Sequence, residues 1–282
     1  MKSPASDLWR EWIDERRRAW TWIPRLLRAY VSIVALIGTA ATALTAVSAC
    51  AQDPPPAHRD SVRAPILVYH HIEGHRSGET ALARELDVSN TMFTTQMHYL
   101  VDHGFHVVSL DALVDALEGG KPLPEHSVVL TFDDGWLTQY QYALPVLKQL
   151  GLTATFFVIT KSLGVDPGYM NWQQLKELQS AGMSIQAHSR THPKLTEPSV
   201  SLSSEVAGSR QDIQQNLGTT PDVFAYPYGE WDARTAAAVK GAGFRAARAL
   251  SGITNTSSDL YALHSVLATD DMAAFERALE GR

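Results

Sequence analysis

Short apolar runs alternate with amphipathic, helix-like stretches along most of the chain. The predicted strands cover residues 66–69, 106–109, 128–132, 155–159, 184–187, 223–225, 244–247 and 262–266. The predicted helix starts and stops are Asn90 and Gly104, Asn171 and Gly182, and Asp232 with Gly241 or Gly243. This alternation is typical of parallel strands joined by crossover helices. Seven or eight such units in about 215 residues predict an α/β fold whose sheet closes, or nearly closes, into a (β/α) barrel.

One predicted strand, 128–132, ends directly on two carboxylates in the sequence VVLTFDDGW. Gly135 allows a sharp turn after the strand, so Asp133 and Asp134 can both face the opening of the barrel. Catalytic groups of such barrels collect at the carboxyl ends of the strands. The pair is therefore a candidate site, although an Asp-Asp-Gly sequence by itself is more often a turn that caps a helix.

Two histidines follow another predicted strand, 184–187, in the sequence HSRTHPKL. Pro193 disfavours a helical conformation at His192, so His188 and His192 are expected in a tight loop at the strand end. Two imidazoles and a carboxylate suit a divalent metal ion that keeps a fourth position open for water. The alternative is that His188 caps the barrel while His192 faces solvent.

Two further strand ends carry turn-forming or polar residues. In FAYPYGEW, Pro227 and Gly229 favour a rigid turn that could aim the Tyr228 backbone N–H at the opening, although a simple surface turn is the alternative. In ILVYHHIEG, His70 and His71 are adjacent, so one is expected to face the opening and the other the flank of the sheet. Aspartates, histidines or a turn-forming sequence thus follow four of the predicted strands. This indicates an active site at the carboxyl ends of the strands.

An arginine-rich segment near the N-terminus precedes an uncharged run, residues 29–52, in which the small-residue sequence VSAC ends at Cys50. This order resembles a bacterial lipoprotein signal, which is cut before the cysteine that becomes acylated. An uncleaved membrane anchor is the alternative, since the run is about long enough to span a bilayer. We therefore expect an exported protein, anchored by lipid at the periplasmic face of the outer membrane or at the cell surface. The predicted division is a signal over 1–49, a proline-rich tether over 50–64 and a folded catalytic domain over 65–282.

The amino-acid composition and net charge restrict the classes of partner that the protein is expected to bind. The chain of 282 residues is 45% hydrophobic and 19% charged, which is typical of a globular protein. Its formal net charge of -6 leaves no basic surface for nucleic acid, which is not expected as a partner. Cys50 is the only cysteine, so an intramolecular disulfide is excluded.

The motifs TFDDG, HSRTH and PYG, in this order, resemble those of the polysaccharide deacetylases of carbohydrate esterase family four. The resemblance extends from about residue 65 to the C-terminus. It implies a distorted (β/α)7–8 barrel and metal-dependent removal of N- or O-acetyl groups from extracellular glycans. One divalent ion is expected, with zinc first and cobalt or nickel as alternatives, because two histidines and an aspartate accept all three.

When the family's motifs are matched to this sequence, the resemblance implies roles for five residues. Asp133 would be the general base, and the metal ligands would be Asp134, His188 and His192. Tyr228 would supply the backbone N–H that stabilises the oxyanion.

The chain also departs from the family pattern. The family's arginine two residues before the proline is replaced by Ala225. The motif in which an aspartate near a tryptophan orients the base through that arginine has no counterpart that we can find. The late Leu-x-His motif, which supplies the general acid, is matched by His264 in LYALHSV, but closer behind PYG than expected. His264 is therefore only a possible acid.

The sequences PILVYHHI, ALPVLKQLGLTATFFVI and FAYPYGEW resemble the branch that deacetylates poly-β-1,6-N-acetylglucosamine, a biofilm exopolysaccharide. In that branch a histidine after the first strand lies beside the metal. This implies His70 as the acid or leaving-group contact, with His71 as the fallback. Substrate contacts are also predicted for Trp136, which could stack on a sugar ring, and for His71, Pro227 and Trp231.

The predicted function is removal of N-acetyl groups from an extracellular or periplasmic glucosamine polymer by a lipid-anchored enzyme. Peptidoglycan, chitin oligomers and acetylated xylan are alternative substrates, because loops rather than the fold select the glycan. The missing arginine motivates an alternative of another class, a non-catalytic glycan-binding lipoprotein. A free carboxylate at Asp133 beside a metal site argues against a pure binder.

Overall fold

The structure, a computed structural model, describes residues 62–74, 80–250 and 252–281. The predicted signal, Cys50 and nearly all of the predicted tether lie outside this range. The strands are β1 (Val62–Arg63), β2 (Ile66–Tyr69), β3 (His71–Ile72), β4 (Asp87–Val88), β5 (His106–Val107), β6 (Ser127–Phe132), β7 (Thr155–Val158), β8 (Ser184–Ala187), β9 (Val223–Ala225), β10 (Ala246–Arg248), β11 (Thr254–Asn255) and β12 (Val266–Leu267).

Helices follow most of the long strands, as the alternation predicts. The α-helices are α1 (Ala81–Leu86), α2 (Asn90–Asp102), α3 (Leu110–Leu117), α4 (Leu144–Leu150), α5 (Trp172–Ser180), α6 (Gly208–Leu217), α7 (Ala233–Gly241) and α8 (Met272–Glu280). Two π-helical turns, Gln139–Ala143 and Ser203–Ala207, run directly into α4 and α6. Within the described residues, no helix is long and apolar enough to cross a membrane.

The main sheet is parallel and curls into a half-barrel. Its strands lie in the order β10, β9, β8, β7, β6, β2 and β12, and β5 pairs with the edge of β6. Every pair in this sheet is parallel, so the α/β barrel-like fold predicted from the sequence is confirmed. Between β10 and β12 the described residues form a single parallel bridge, Arg248 to Leu263, rather than a continuous ladder. The barrel is therefore distorted at this position.

The centre of the sheet is buried on both faces, which explains the uninterrupted apolar run before the two carboxylates. All six residues of β6 are buried, as expected for a parallel strand covered by helices on one side and by the barrel interior on the other. The Phe132 ring stacks on Phe156 at 4.7 Å and on Tyr69 at 5.3 Å between centroids. Phe132 directly precedes Asp133, so this aromatic packing fixes the backbone from which the candidate site begins.

The structure differs from the predictions at several element ends. Ser89, not Asn90, caps α2, because the Ser89 hydroxyl accepts the Met92 N–H at 3.2 Å. The third helix stop is Gly243, which has a φ of 87° that favours glycine. The folded part already includes Val62–Arg63, inside the predicted tether, because this short strand pairs antiparallel with Thr254–Asn255.

The last two strands predicted from the sequence also lie further along the chain than predicted. β10 covers Ala246–Arg248 rather than 244–247, and β12 covers Val266–Leu267 rather than 262–266. Small residues such as Ala246 and Ala247 carry a weak strand signal, which explains the shift. As a consequence, Arg248 lies within a strand of the main sheet.

A partly buried acid near the amino-terminal end of β9 provides a test of the fold. Asp111, in the first turn of α3, lies close to Asp222 at the start of β9. Burial, followed by the charge of Asp222, raises the pKa of Asp111 to about 6. Because the folded state then holds the proton more tightly than the unfolded state, the stabilising contribution of Asp111 is complete below about pH 4. It is lost as the pH rises through about 6.

We expect Asp111→Asn to stabilise the protein at pH 7.5 by about 1 kcal/mol, a value reduced for partial solvent screening. This corresponds to a rise in Tm of about 2–4 °C, and the gain should vanish near pH 4. Thermal unfolding at both pH values measures it. Asp115→Asn is the control, because Asp115 forms an exposed ion pair with Arg245 and should give no such gain. A gain for Asp111→Asn that does not depend on pH would contradict the assignment.

Candidate active site

The polar residues that were predicted to follow the strands lie together at the carboxyl edge of the sheet. His70 follows β2, Asp133 and Asp134 follow β6, and His188 follows β8. Adjacent parallel strands run from β2 through β6 and β7 to β8, so these residues lie side by side despite more than 100 residues of intervening chain. The predicted third motif follows β9, where Pro227 begins a short 3₁₀ turn.

Three potential metal ligands converge at this edge. The Nε2 atoms of His188 and His192 lie 3.2 Å apart. The Asp134 Oδ1 atom lies 3.5 Å from the His188 Nε2 atom and 3.6 Å from that of His192. The structure therefore brings together the three residues predicted as ligands, as a group of ligand atoms within 4.8 Å of one another.

Neighbouring groups orient two of these side chains. The His188 Nδ1 atom lies 2.8 Å from the Ala225 carbonyl oxygen, and donation to that oxygen leaves the Nε2 lone pair directed at the cluster. The Trp136 indole N–H donates to Asp134 Oδ2 at 2.9 Å. The other oxygen, Oδ1, is buried and forms no hydrogen bond with the described residues. This arrangement fits a divalent ion, since two imidazole nitrogens and one orphaned carboxylate oxygen face the same point.

Burial also favours the protonation state that a histidine ligand needs. It lowers the pKa of His188 to about 3, and it lowers the pKa of His192 as well. Both imidazoles are therefore neutral at physiological pH, and a neutral imidazole nitrogen is the form that binds metal.

Backbone strain concentrates at the same place. Five non-glycine residues of the described chain have a positive φ, and four of them belong to the predicted motifs: Asp134 (73°), Ser189 (65°), His192 (59°) and Tyr228 (62°). Such conformations cost about 1–3 kcal/mol each and persist only where the surrounding structure enforces them. The strain is therefore typical of a functional site.

Gly135 explains why the two carboxylates are followed by a glycine. Its φ is 87°, and an added Cβ atom would lie only 3.2 Å from the Val158 side chain. No larger residue fits this turn without displacing its neighbours.

Asp133 forms a buried ion pair that the sequence did not predict. The Arg248 guanidinium, which is 1% exposed, donates to Asp133 Oδ2 through a short hydrogen bond. Burial by itself would raise the pKa of Asp133, but the charge of Arg248 and its hydrogen bond outweigh burial and hold the pKa below its usual value. The carboxylate is therefore ionised, and its Oδ1 atom is buried without a hydrogen bond in the described residues.

Arg248 lies beside Ala225, the position at which the family pattern has an arginine. The two residues are register partners on the adjacent strands β9 and β10, so the guanidinium reaches the same space from the neighbouring strand. A second nitrogen of Arg248 donates to Ser265 Oγ at 3.2 Å, and the guanidinium lies 5.2 Å from the centre of the Phe157 ring. The signal in the sequence was the single charge within the apolar run AARAL, residues 246–250, since a buried charge requires a partner.

Of the three histidines predicted as a possible acid, His70, its fallback His71 and His264, it is His70 that forms a close contact with the base. Its Nε2 atom is 3.9 Å from Asp133 Oδ2. The backbone of His264 instead pairs with the Asn255 side chain, and its ring packs against Gly252. In that segment it is Ser265 that contacts Arg248. The structure thus brings His70 to the site, while the role of acid stays a prediction for all three histidines.

The aromatic residues predicted to contact substrate lie in two places. Trp136 contacts two rings, His71 and Tyr169, each at 4.1 Å between centroids. Tyr228 and Trp231 are 54% and 46% exposed, and the Tyr228 ring lies 4.6 Å from the ring of His192. Tyr228 therefore offers exposed aromatic surface beside the ligand cluster, whereas Trp231 stacks on Tyr226 at 6.4 Å between centroids. Trp136 is held by its ring neighbours and by Asp134.

The other residues predicted to contact substrate are His71 and Pro227. Pro227 is buried at the start of the 3₁₀ turn. His71, besides contacting Trp136, forms a second group of potential ligands with Glu73 and Asp87, because β3 and β4 pair His71 with Asp87. Substrate contact by His71, Pro227, Trp136 and Trp231 stays a prediction.

Comparison with known proteins identifies the family. A family model described as polysaccharide deacetylase matches residues 120–247. The predicted polysaccharide deacetylase YxkH of Bacillus subtilis (strain 168) is 30% identical over 213 residues, which cover 75% of this chain and 73% of the relative. The poly-β-1,6-N-acetyl-D-glucosamine N-deacetylase of Staphylococcus aureus (strain MRSA252) is 26% identical over 213 residues, which cover 70% of this chain and 72% of the relative.

Solved structures agree with this assignment. The Streptococcus pyogenes deacetylase PplD, in complex with acetate, superposes with a TM-score of 0.72 at 27% identity, over 78% of this chain and 98% of the other. IcaB from Ammonifex degensii superposes with a TM-score of 0.68 at 25% identity, over 78% of this chain and 96% of the other. With the motif residues assembled at one edge of the sheet, these similarities show that the chain belongs to the polysaccharide deacetylase family.

Proposed function

We propose that this deacetylase is a metal-dependent hydrolase that removes N-acetyl groups from an extracellular glucosamine polymer, poly-β-1,6-N-acetylglucosamine. The observation that carries the chemistry is an ionised carboxylate, Asp133, beside the three convergent ligands Asp134, His188 and His192. The choice of polymer is supported by the Staphylococcus aureus relative, which is named for this substrate.

Each residue of the site has a separate role in the proposed hydrolysis of an acetamide. A divalent ion bound by Asp134, His188 and His192 would polarise the acetyl carbonyl and lower the pKa of the attacking water. Asp133, kept ionised by Arg248, accepts the proton of that water. The backbone N–H of Tyr228, in its left-handed turn, is the proposed donor to the oxygen that gains negative charge. The proton that Asp133 took from the water then passes by way of the neighbouring His70 to the amine nitrogen, so that the C–N bond breaks and acetate and the free amine are released.

The proposed activity is tested by release of free amine from a β-1,6-linked N-acetylglucosamine oligomer, with a chitin oligomer in parallel. Each reaction is run with purified protein before chelation, after chelation and after the return of zinc. We expect release from the β-1,6 oligomer that chelation abolishes and zinc restores. Release from chitin alone would support deacetylation but would contradict poly-β-1,6-N-acetylglucosamine as the substrate. Failure to release amine from either oligomer, with metal bound, would reject the proposal.

We also propose that the protein is exported and anchored through acylated Cys50, which lies outside the described residues. The proposal is supported by the basic, apolar, small-residue order that precedes Cys50. Cys50→Ser should move the protein from the membrane fraction to the soluble fraction, because it removes the atom that carries the lipid. Ser48→Ala, which keeps a small residue before the cysteine, is the control and should stay with membranes. Membrane association of Cys50→Ser would instead indicate an uncleaved helix.

A further inference from the structure

The loop that carries His192 is strained at both of its ends. Ser189 and His192, its first and last residues, both have a left-handed φ, and the His192 N–H donates to Ser189 Oγ at 2.9 Å. A loop in this conformation needs neighbours that stabilise it, because the strain would otherwise relax and move the His192 ring.

A buried carboxylate, Glu205, binds the inner part of this loop. One of its oxygens, Oε2, accepts the backbone N–H groups of Arg190 and Thr191, both at 2.9 Å. The other oxygen, Oε1, accepts the Thr191 hydroxyl at 2.9 Å. Glu205 is 8% exposed, so water does not readily replace these bonds. Both carboxylate oxygens are thus used to fix the two residues that precede His192.

The position of Glu205 depends on an unusual turn. It lies in the π-helical turn Ser203–Ala207, directly before α6. Such turns are rare and occur frequently at functional sites. The same helix holds the loop again further on, since Asp212 accepts two hydrogen bonds from the Arg190 guanidinium at 2.8 and 2.7 Å. The opposite side of the loop is fixed by backbone bonds from Thr160 and Lys161.

We propose that Glu205 is a positioning residue for the metal site: it sets the geometry of the loop so that the His192 Nε2 atom lies beside the His188 Nε2 atom and the Asp134 Oδ1 atom. Glu205 does not touch the ligand cluster itself and acts through the backbone of Arg190 and Thr191. The inference rests on the proposed function, because it assumes that the cluster binds a divalent ion.

The test is the zinc affinity of purified protein, measured by competition with a chromophoric chelator, together with the visible spectrum of the cobalt-loaded protein. Glu205→Leu keeps the size and removes every acceptor, so zinc affinity should fall about 10- to 100-fold and the cobalt spectrum should change. Glu205→Gln should bind zinc nearly as the wild type does. Its amide oxygen can accept both N–H groups while its NH₂ donates to the Thr191 hydroxyl.

Two further variants separate positioning from general destabilisation. Thr191→Val removes only the hydroxyl contact and should weaken zinc binding by about 2- to 10-fold, which decides the matter if Glu205→Leu does not fold. Glu197→Gln changes an exposed carboxylate of the same segment and should leave affinity unchanged.

Unchanged zinc affinity and cobalt spectrum in both Glu205→Leu and Thr191→Val would overturn the proposal. If Glu205→Leu does not fold, unchanged values for Thr191→Val would overturn it. A wild-type protein that binds no zinc would instead contradict the proposed function, so the two failures can be distinguished.

Discussion

Replacement of Asp133 by Asn should lower turnover by about 10²- to 10⁴-fold while the protein still binds one divalent ion. The amide is nearly the same size as the carboxylate and can still accept a hydrogen bond from Arg248, but it cannot take a proton from water. The three ligand atoms belong to other side chains, so the variant should retain its metal. Steady-state amine release and metal content, measured on the same preparation, test both parts.

The matched control is His192→Ala, which should lose metal as well as turnover. This change removes one of three ligands, so the metal content of the purified protein should fall and turnover should fall with it. If Asp133→Asn turned over at the wild-type rate, the role of base would have to move to another residue. If His192→Ala kept its metal and turnover, the ligand cluster would not be the metal site.

The sequence predicted those parts of the site in which the reactive side chains directly follow a strand in the same segment of the chain. Asp133 and Asp134 follow a fully buried strand, and His188 and His192 are four residues apart, so each motif could be located from its own neighbours. The order of strands in the sheet then brings the two motifs together, a consequence of parallel topology that a barrel prediction already contains.

The sequence did not predict contacts that depend on pairing between segments. Arg248 reaches Asp133 because β10 pairs with β9 in the register that sets Arg248 beside Ala225. A shift of one residue would direct the guanidinium to the other face of the sheet. Glu205 was missed for a related reason, since a glutamate in a polar segment shows no sign that it folds back onto a loop 14 residues earlier.

Replacement of Arg248 by Met should be among the most destabilising changes in the described chain. It leaves the buried carboxylate of Asp133 without its cation, and breaking a buried pair in this way typically costs about 3–5 kcal/mol. Turnover should also fall by at least about 10²-fold, because burial then favours the protonated form of Asp133, which cannot act as a base. Denaturant unfolding and amine release measure the two effects. Arg248→Lys, which keeps the charge but loses the second donor to Ser265, should lie between wild type and Arg248→Met.

A double-mutant cycle separates this ion pair from simple loss of packing. With Asp133→Asn already present, no buried carboxylate requires a cation, so adding Arg248→Met should cost at least about 2 kcal/mol less than it does in the wild type. Turnover should stay at the level of Asp133→Asn, because the base is already absent. Equal costs in both backgrounds would show that Arg248 contributes by packing, for example against Phe157, and that another group keeps Asp133 ionised. A strong coupling would instead show that a charge supplied from β10 does the work that the family pattern assigns to an arginine at the position of Ala225.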